Sequence, residues 1–233
     1  MQLYKHSVDI LESPNGTIMV PNEPHIACVL LLDTSGSMSS NGGAPIASLN
    51  KAIRSFKEQI YSDLVAQNRV DVAVVEFNDT VRVSQDFIPL SLFEPEEFSG
   101  YGLTEMGFGI NKSIDLLKER IRFYRELGTN YYRPWIFMIT DGYPTDDLSS
   151  AKERLYTEIE KRRLEFWALG VNGYDKDILR SLTKKSIDLE EADFANIFNW
   201  LGKSMIAISK SRIDETVTLP ELPNNASFLD VKW

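Results

Sequence analysis

The sequence predicts an α/β domain: a Rossmann-like, doubly wound and mostly parallel sheet with helices on both faces. Short apolar runs recur along it, "IACVLLL" at 26–32, "VDVAVVEF" at 70–77, "PWIFMIT" at 134–140 and "EFWALGV" at 165–171. They do not alternate, as expected of strands buried on both faces. Between them lie stretches whose apolar residues recur at helical spacing. Strands alternating with helices imply parallel βαβ units.

The elements follow in order. Residues 1–24 form an extension in which Pro14-Asn15-Gly16 suits a hairpin turn. The domain proper runs from 25 to 212 and opens with the strand at Ile26. Ile46, Leu49, Ile53, Phe56, Ile60 and Leu64 mark the first helix, with Pro45 where a first turn tolerates proline. After the second strand, Asn78-Asp79 offers a tight turn into "TVRVSQDFI", whose alternation predicts a half-exposed antiparallel edge strand. The stretch "SLFEPEEFSGYGLTEMG" is punctuated as a loop. A helical stripe then runs through Ile110, Ile114, Leu117, Ile121 and Tyr124 to Leu127-Gly128. Helix patterns also cover about Leu148 to Arg163, a short piece near Asp177 to Lys184, and the stripe Phe194, Ile197, Leu201, Met205, Ile208. Residues 213–233 form a tail with two leucine-proline steps and a closing Trp233, suited to packing back on the domain or to binding.

Composition removes several function classes. The formal net charge of -9 leaves no surplus of cations for phosphate-backbone contacts, so a nucleic-acid partner is not expected. The basic clusters "KERIRFYRE" and "EKRRLE" are interleaved with acids and read as solvated helix faces with i,i+4 pairs. The single cysteine, Cys28, lies inside an apolar run and reads as a buried small residue, which rules out an intramolecular disulfide or a cysteine zinc cluster. Neither a signal-peptide h-region nor a membrane-length apolar stretch is visible, so the expected location is cytoplasmic. His6 and His25 lack a partner pattern and read as solvated or structural. Asn225-Ala226-Ser227 matches a glycosylation acceptor, which has no meaning without secretion.

The chemistry lies where strands end. In an open α/β sheet, ligands bind at the carboxyl ends of the parallel strands. Asp33, Ser35 and Ser37 follow the first strand in "LLLDTSGSMSS", Thr104 lies in the loop before a helix, and Asp141 follows "PWIFMIT". All five offer oxygen, the donor preferred by a hard cation such as Mg²⁺. Alternation in an extended loop would turn Asp33, Ser35 and Ser37 to one side, with Gly36 relieving crowding. Two carboxylates and three neutral hydroxyls barely neutralise a divalent ion, so such a site would attract an anionic ligand from outside. The bland alternatives are a serine-rich turn capped by its own hydroxyls and Thr104 as a helix N-cap. Asp146 and Asp147, just before a helix, read as caps and dipole partners.

"DTSGSMS", "GLTEMG" and "ITDGYPTD" together resemble the metal-ion-dependent adhesion site of von Willebrand factor type A domains, D-x-S-x-S with a distant Thr and a distant Asp. The subgroup it looks most like is the bacterial, intracellular, tellurium-resistance type. The resemblance covers about Ile26 to Arg212. It implies a Rossmann-like sheet with one antiparallel edge strand, Mg²⁺ (or Mn²⁺ or Ca²⁺) held by the hydroxyls of Ser35, Ser37 and Thr104, and Asp33 and Asp141 often acting through water. It also implies a partner protein that supplies a Glu or Asp carboxylate, and no enzymatic activity. Leu103 stands where many members carry Gly, and Glu105 stands where a small or neutral residue is common. The cysteine-rich extension that some tellurium-resistance relatives carry is missing.

The competing reading is a Mg²⁺-dependent phosphotransferase of the haloacid dehalogenase type, in which the first aspartate attacks phosphorus. Those enzymes use D-x-D, and Ser35 replaces the second carboxylate. "DTSGS" also departs from the D-T-G or D-S-G of aspartic proteases, and no phosphate-binding glycine fingerprint follows any strand.

Overall fold

The computed structural model describes residues 11–12, 18–20, 22–171, 173–190 and 192–229. Two short strands, β1 (Leu11–Glu12) and β2 (Ile18–Met19), pair antiparallel; the turn expected at Pro14-Asn15-Gly16 lies outside the described residues, as do His6 and Trp233. The body of the chain is a seven-stranded sheet. Its strands are β3 (Ile26–Asp33), β4 (Val70–Phe77), β5 (Val81–Pro89), β6 (Trp135–Thr140), β7 (Glu165–Val171), β8 (Ser186–Leu189) and β9 (Ala226–Phe228), in the order β5-β4-β3-β6-β7-β8-β9. The five inner strands are parallel. β5 is the antiparallel, half-exposed edge that its alternation predicts, and its register shifts near Val74.

Helices cover both faces, as the apolar stripes require. The first is α1 (Ser40–Tyr61), regular only after Asn41, Gly42 and Gly43, all of positive φ, so its straight part begins near Pro45. Then come α2 (Ala66–Arg69), α3 (Met106–Glu126), α4 (Ser149–Glu160), α5 (Lys176–Leu182) and α6 (Phe194–Lys210). α3 stops at Gly128, whose φ of 66° permits the Thr129 amide to reach back to the Tyr124 carbonyl. Central β3 shows the period-two logic. Ile26, Cys28, Leu30 and Leu32 join the core under α1 and α6, while Ala27, Val29 and Leu31 join that under α3, α4 and α5. Cys28 has no solvent exposure, and burial pushes its thiol up to about 12. Among the described residues, no helix is long and apolar enough to cross a membrane.

Two strands of the sheet are absent from the sequence expectation, as is the one-turn helix α2. β8 is four residues long and contains Asp188, too short and too polar to read as a buried strand. β9 comes from the tail, which packs back and adds an antiparallel strand to the edge opposite β5. The tail is also tied by the Trp200 indole, which donates to the Pro220 carbonyl at 2.8 Å.

A buried polar cluster fixes the amino-terminal end of the sheet. Asp71 at the start of β4 lies 2.9 Å from His25 Nδ1, accepts from Arg120 at 2.7 Å, and accepts a short hydrogen bond from Tyr124. His25 Nε2 meets the Val20 carbonyl at 2.7 Å, and its ring stacks on Tyr124. His25 is thus structural and fully buried, and Arg120 turns inward although its sequence cluster reads as solvated. Burial alone would raise the Asp71 carboxyl, but Arg120, His25 and Tyr124 outweigh it and hold it below the usual range. Its stabilising contribution is therefore present above the ordinary carboxylate pKa of ~3.9 and is lost as pH falls through the lower folded value. Asp71→Asn leaves Arg120 buried beside a neutral amide, and we expect it to destabilise the protein by about 3–5 kcal/mol. Chemical denaturation at neutral pH measures this, and the gap between variant and wild type should narrow towards pH 3.

Candidate metal centre

Four loops interlock: those that leave the carboxyl ends of β3, β4 and β6, and the one that runs from β5 into α3. The Thr34 amide donates to the Phe77 carbonyl at 3.0 Å, Tyr101 N to Thr34 O at 2.9 Å, Gly36 N to Gly102 O at 3.1 Å, and Glu105 N to Asn78 O at 2.7 Å. Asn78 adds its side-chain amide to Thr34 Oγ1 at 3.1 Å. Thr104 and Thr145 exchange bonds, with Thr104 N donating to Thr145 Oγ1 at 3.1 Å and Thr145 N to Thr104 O at 2.9 Å. The loops therefore behave as one rim.

On this rim the five oxygen-bearing residues come together. Asp33 ends β3 with no exposure. Its Oδ1 accepts from the Ser35 amide at 2.8 Å and its Oδ2 from Thr140 Oγ1 at 2.6 Å. Ser35 Oγ lies 3.0 Å from Ser37 Oγ, and Ser37 Oγ donates to Asp141 Oδ1 at 2.6 Å. The stretch is not extended throughout, because Gly36–Ser39 coils into a 3-10 turn, yet Ser35 and Ser37 still meet. Ser35, Thr104 and Asp141 are buried while Ser37 is exposed, so the cluster opens to solvent on the Ser37 side.

Gly142 shows how tightly Thr104 belongs to the group. A methyl group in place of its hydrogen would lie 3.3 Å from Thr104 Oγ1, 3.6 Å from Ser37 Oγ and 3.7 Å from Asp33 Oδ2. Three oxygens, two from the end of β3 and its loop and one from the loop before α3, thus surround one small space beside Gly142. The donor set fits a hard cation, since every side chain that faces this space offers oxygen. The electrostatics fit too. Burial raises the Asp33 carboxyl, and burial together with the Asp33 charge raises Asp141 to about 6 despite the Ser37 hydrogen bond. Two carboxylates crowded out of water in this way are stabilised by a divalent ion between them.

Several supporting residues are silent in the sequence. Thr140 aims Asp33, Asn78 joins two loops, and only the open Cα of Gly142 leaves the central space free. Asp147 caps α4 through the Ser149 amide at 3.0 Å, as its position suggests. Asp146 instead crosses to α3, accepting from Gly107 N at 3.1 Å and Phe108 N at 2.8 Å. That frees Thr104 from capping; the residue before α3 is the half-buried Glu105, which makes no side-chain cap. Leu103 is 59% exposed.

Fold and rim together define an open α/β domain that gathers hard oxygen donors at its strand-end loops. A family model described as the von Willebrand factor type A domain matches residues 28–199, and the chain belongs to that family. No curated protein matches significantly. Solved structures share the fold. The pilus adhesin SpaC from Lactobacillus rhamnosus GG superposes with a TM-score of 0.63 at 16% identity, over 80% of this chain and 31% of that one. Proximal thread matrix protein 1 from the mussel byssus, described with a zinc occupied MIDAS motif, gives 0.56 at 14%, over 79% and 48%. The ArnB paralog VWA2 from Sulfolobus acidocaldarius gives 0.51 at 16%, over 78% and 45%. This chain therefore spans less than half of each of these proteins.

Gly142→Ala places a methyl group in the space between Thr104, Ser37 and Asp33. We expect Mg²⁺ to raise the melting temperature of the wild type by mass action and to leave that of the variant unmoved, with the two melting alike in chelator.

Proposed function

We propose that this domain is a metal-dependent protein-interaction module. Asp33, Ser35, Ser37, Thr104 and Asp141 hold Mg²⁺, with Mn²⁺ or Ca²⁺ able to replace it, and a Glu or Asp side chain of a partner protein completes the coordination shell. The observation that carries this reading is the convergence of Thr104, Ser37 and Asp33 oxygens on the space beside Gly142. Domains of this family bind a divalent metal at this type of motif and mediate protein–protein contacts. The all-oxygen donor set is of the type that hard cations such as Mg²⁺ prefer.

The charge balance supports an acidic partner. Two carboxylates only neutralise the ion, and the hydroxyls add none, so the metal keeps its pull on a further anion. Around the rim Tyr101, Leu103, Phe108 and Tyr143 are each more than half exposed. Large apolar side chains on mutually tied loops and on the first turn of α3 supply contact area for a protein rather than for a lone ion. The binding reading is also favoured over phosphoryl transfer. An attacking aspartate must reach its substrate, whereas Asp33 has no exposure and both its oxygens hold hydrogen bonds. The motif resemblance extends this reading to a bacterial, cytoplasmic system of the tellurium-resistance type.

Immobilised protein in Mg²⁺ should capture its partner from a lysate, and capture should vanish with chelator, with Asp33→Ala, and after amidation of the lysate's carboxyl groups. Capture that survives all three contradicts the proposal.

A further inference from the structure

The opposite end of the sheet carries a second feature, unrelated to the metal centre. Beneath the amino-terminal ends of β6, β7 and β8 lies a cavity of about 1080 Å³, at the upper end of the roughly 300–1,000 Å³ typical of small-molecule sites. The two basic clusters noted in the sequence, one ending α3 and one following α4, meet at this cavity. Lys118, Arg122 and Arg125 come from the first, Arg162 and Arg163 from the second, and Arg133 and Lys185 stand just ahead of β6 and β8. The acids in the lining are Glu158, Glu165, Asp214 and Glu215. In a chain of net charge -9, this one concavity is positive.

The pairing pattern sharpens the point. Glu158 serves both Lys118 at 2.9 Å and Arg163 at 3.8 Å. Glu165 serves both Lys185 at 2.6 Å and Arg133. Each carboxylate is thus shared between two cations. Arg125 meets only the Tyr131 hydroxyl and ring, and among the described residues Arg122 and Arg162 make no ion pair. Holding Arg122, Arg125 and Arg162 around one hollow without a carboxylate partner costs Coulomb energy unless an anion joins them. Guanidinium forks match clustered phosphate oxygens bidentately. The floor is apolar, and its accessible part is the half-buried Ile121, Val217 and Leu219, which suits the organic part of such a ligand better than a bare ion.

We propose that this cavity binds a soluble organic polyphosphate of nucleoside-triphosphate size, its phosphates on Arg122, Arg125 and Arg162 and its organic part on the apolar floor. The six-residue strand β6 separates this site from Asp141, a span of roughly 20 Å. The two sites are therefore separable by mutation.

The test is calorimetric titration of the full chain with ATP and with inorganic triphosphate, in chelator so that the metal centre plays no part. Parallel arms use a hexaglutamate peptide and vesicles containing phosphatidylinositol bisphosphate. We expect saturable binding of ATP, weaker binding of triphosphate, and a loss of affinity of roughly tenfold or more in the Arg122→Ala/Arg162→Ala double variant. Both side chains are exposed and hold no ion pair, so the variant should fold, and Asp33→Ala should bind ATP as the wild type does. The proposal is overturned if ATP fails to bind at millimolar concentration, if the double variant binds it unchanged, or if hexaglutamate or the vesicles bind more tightly than ATP. Tighter binding of hexaglutamate would indicate an acidic-peptide site, and tighter binding of the vesicles a headgroup site.

Discussion

The arrangement depends on a carboxylate kept where water does not reach. Asp33 closes the central strand with no exposure, and an ionised group in that position is tolerable only when donors and a counter-charge surround it. The donors are visible: the Ser35 amide on one oxygen and the Thr140 hydroxyl on the other. Among the described residues no cationic side chain is paired with it, and the neighbouring ionisable group is a second acid, Asp141, whose own carboxyl is raised to about 6. Two like charges buried side by side are what the proposed cation would stabilise. The interlocked loops around them keep the site rigid.

The contrast with Asp71 makes the same point from the other side. That carboxylate is equally buried, but Arg120 and His25 lie against it and hold it ionised without outside help. One end of the sheet therefore balances its acid internally, whereas the acids at the other end have hydrogen-bond donors but no cationic side chain among the described residues. The cationic cavity beneath β6 to β8 is a third case, an excess of the opposite sign. Polar chemistry is placed at the two ends because the middle is apolar on both faces, with β3, β4 and β6 buried along their whole length.

Much of this is legible in the residues. The inner strands announce themselves as unalternating apolar runs because helices cover both faces, and the edge strand β5 alternates because one of its faces meets solvent. The five oxygen-bearing residues are likewise readable, since strand ends fix where loops gather. What escapes is whatever depends on distance along the chain. Asp146 stands before α4 yet caps α3. Arg120 sits in a charged run yet points into the core, drawn by an aspartate 49 positions earlier. The tail has no periodicity to declare a strand, and β9 forms only because β8 offers an open edge. Gly142 follows a motif residue without any signal that its missing side chain is what leaves room at the centre.

The central claim is that the Asp33 cluster holds one hard divalent ion. The most direct measurement is calorimetric titration of chelator-stripped protein with Mg²⁺ and Mn²⁺, alongside Asp33→Ala. The account predicts a single saturable site per chain in the wild type and none in the variant. Absence of binding in the wild type, or equal binding in the variant, would contradict it.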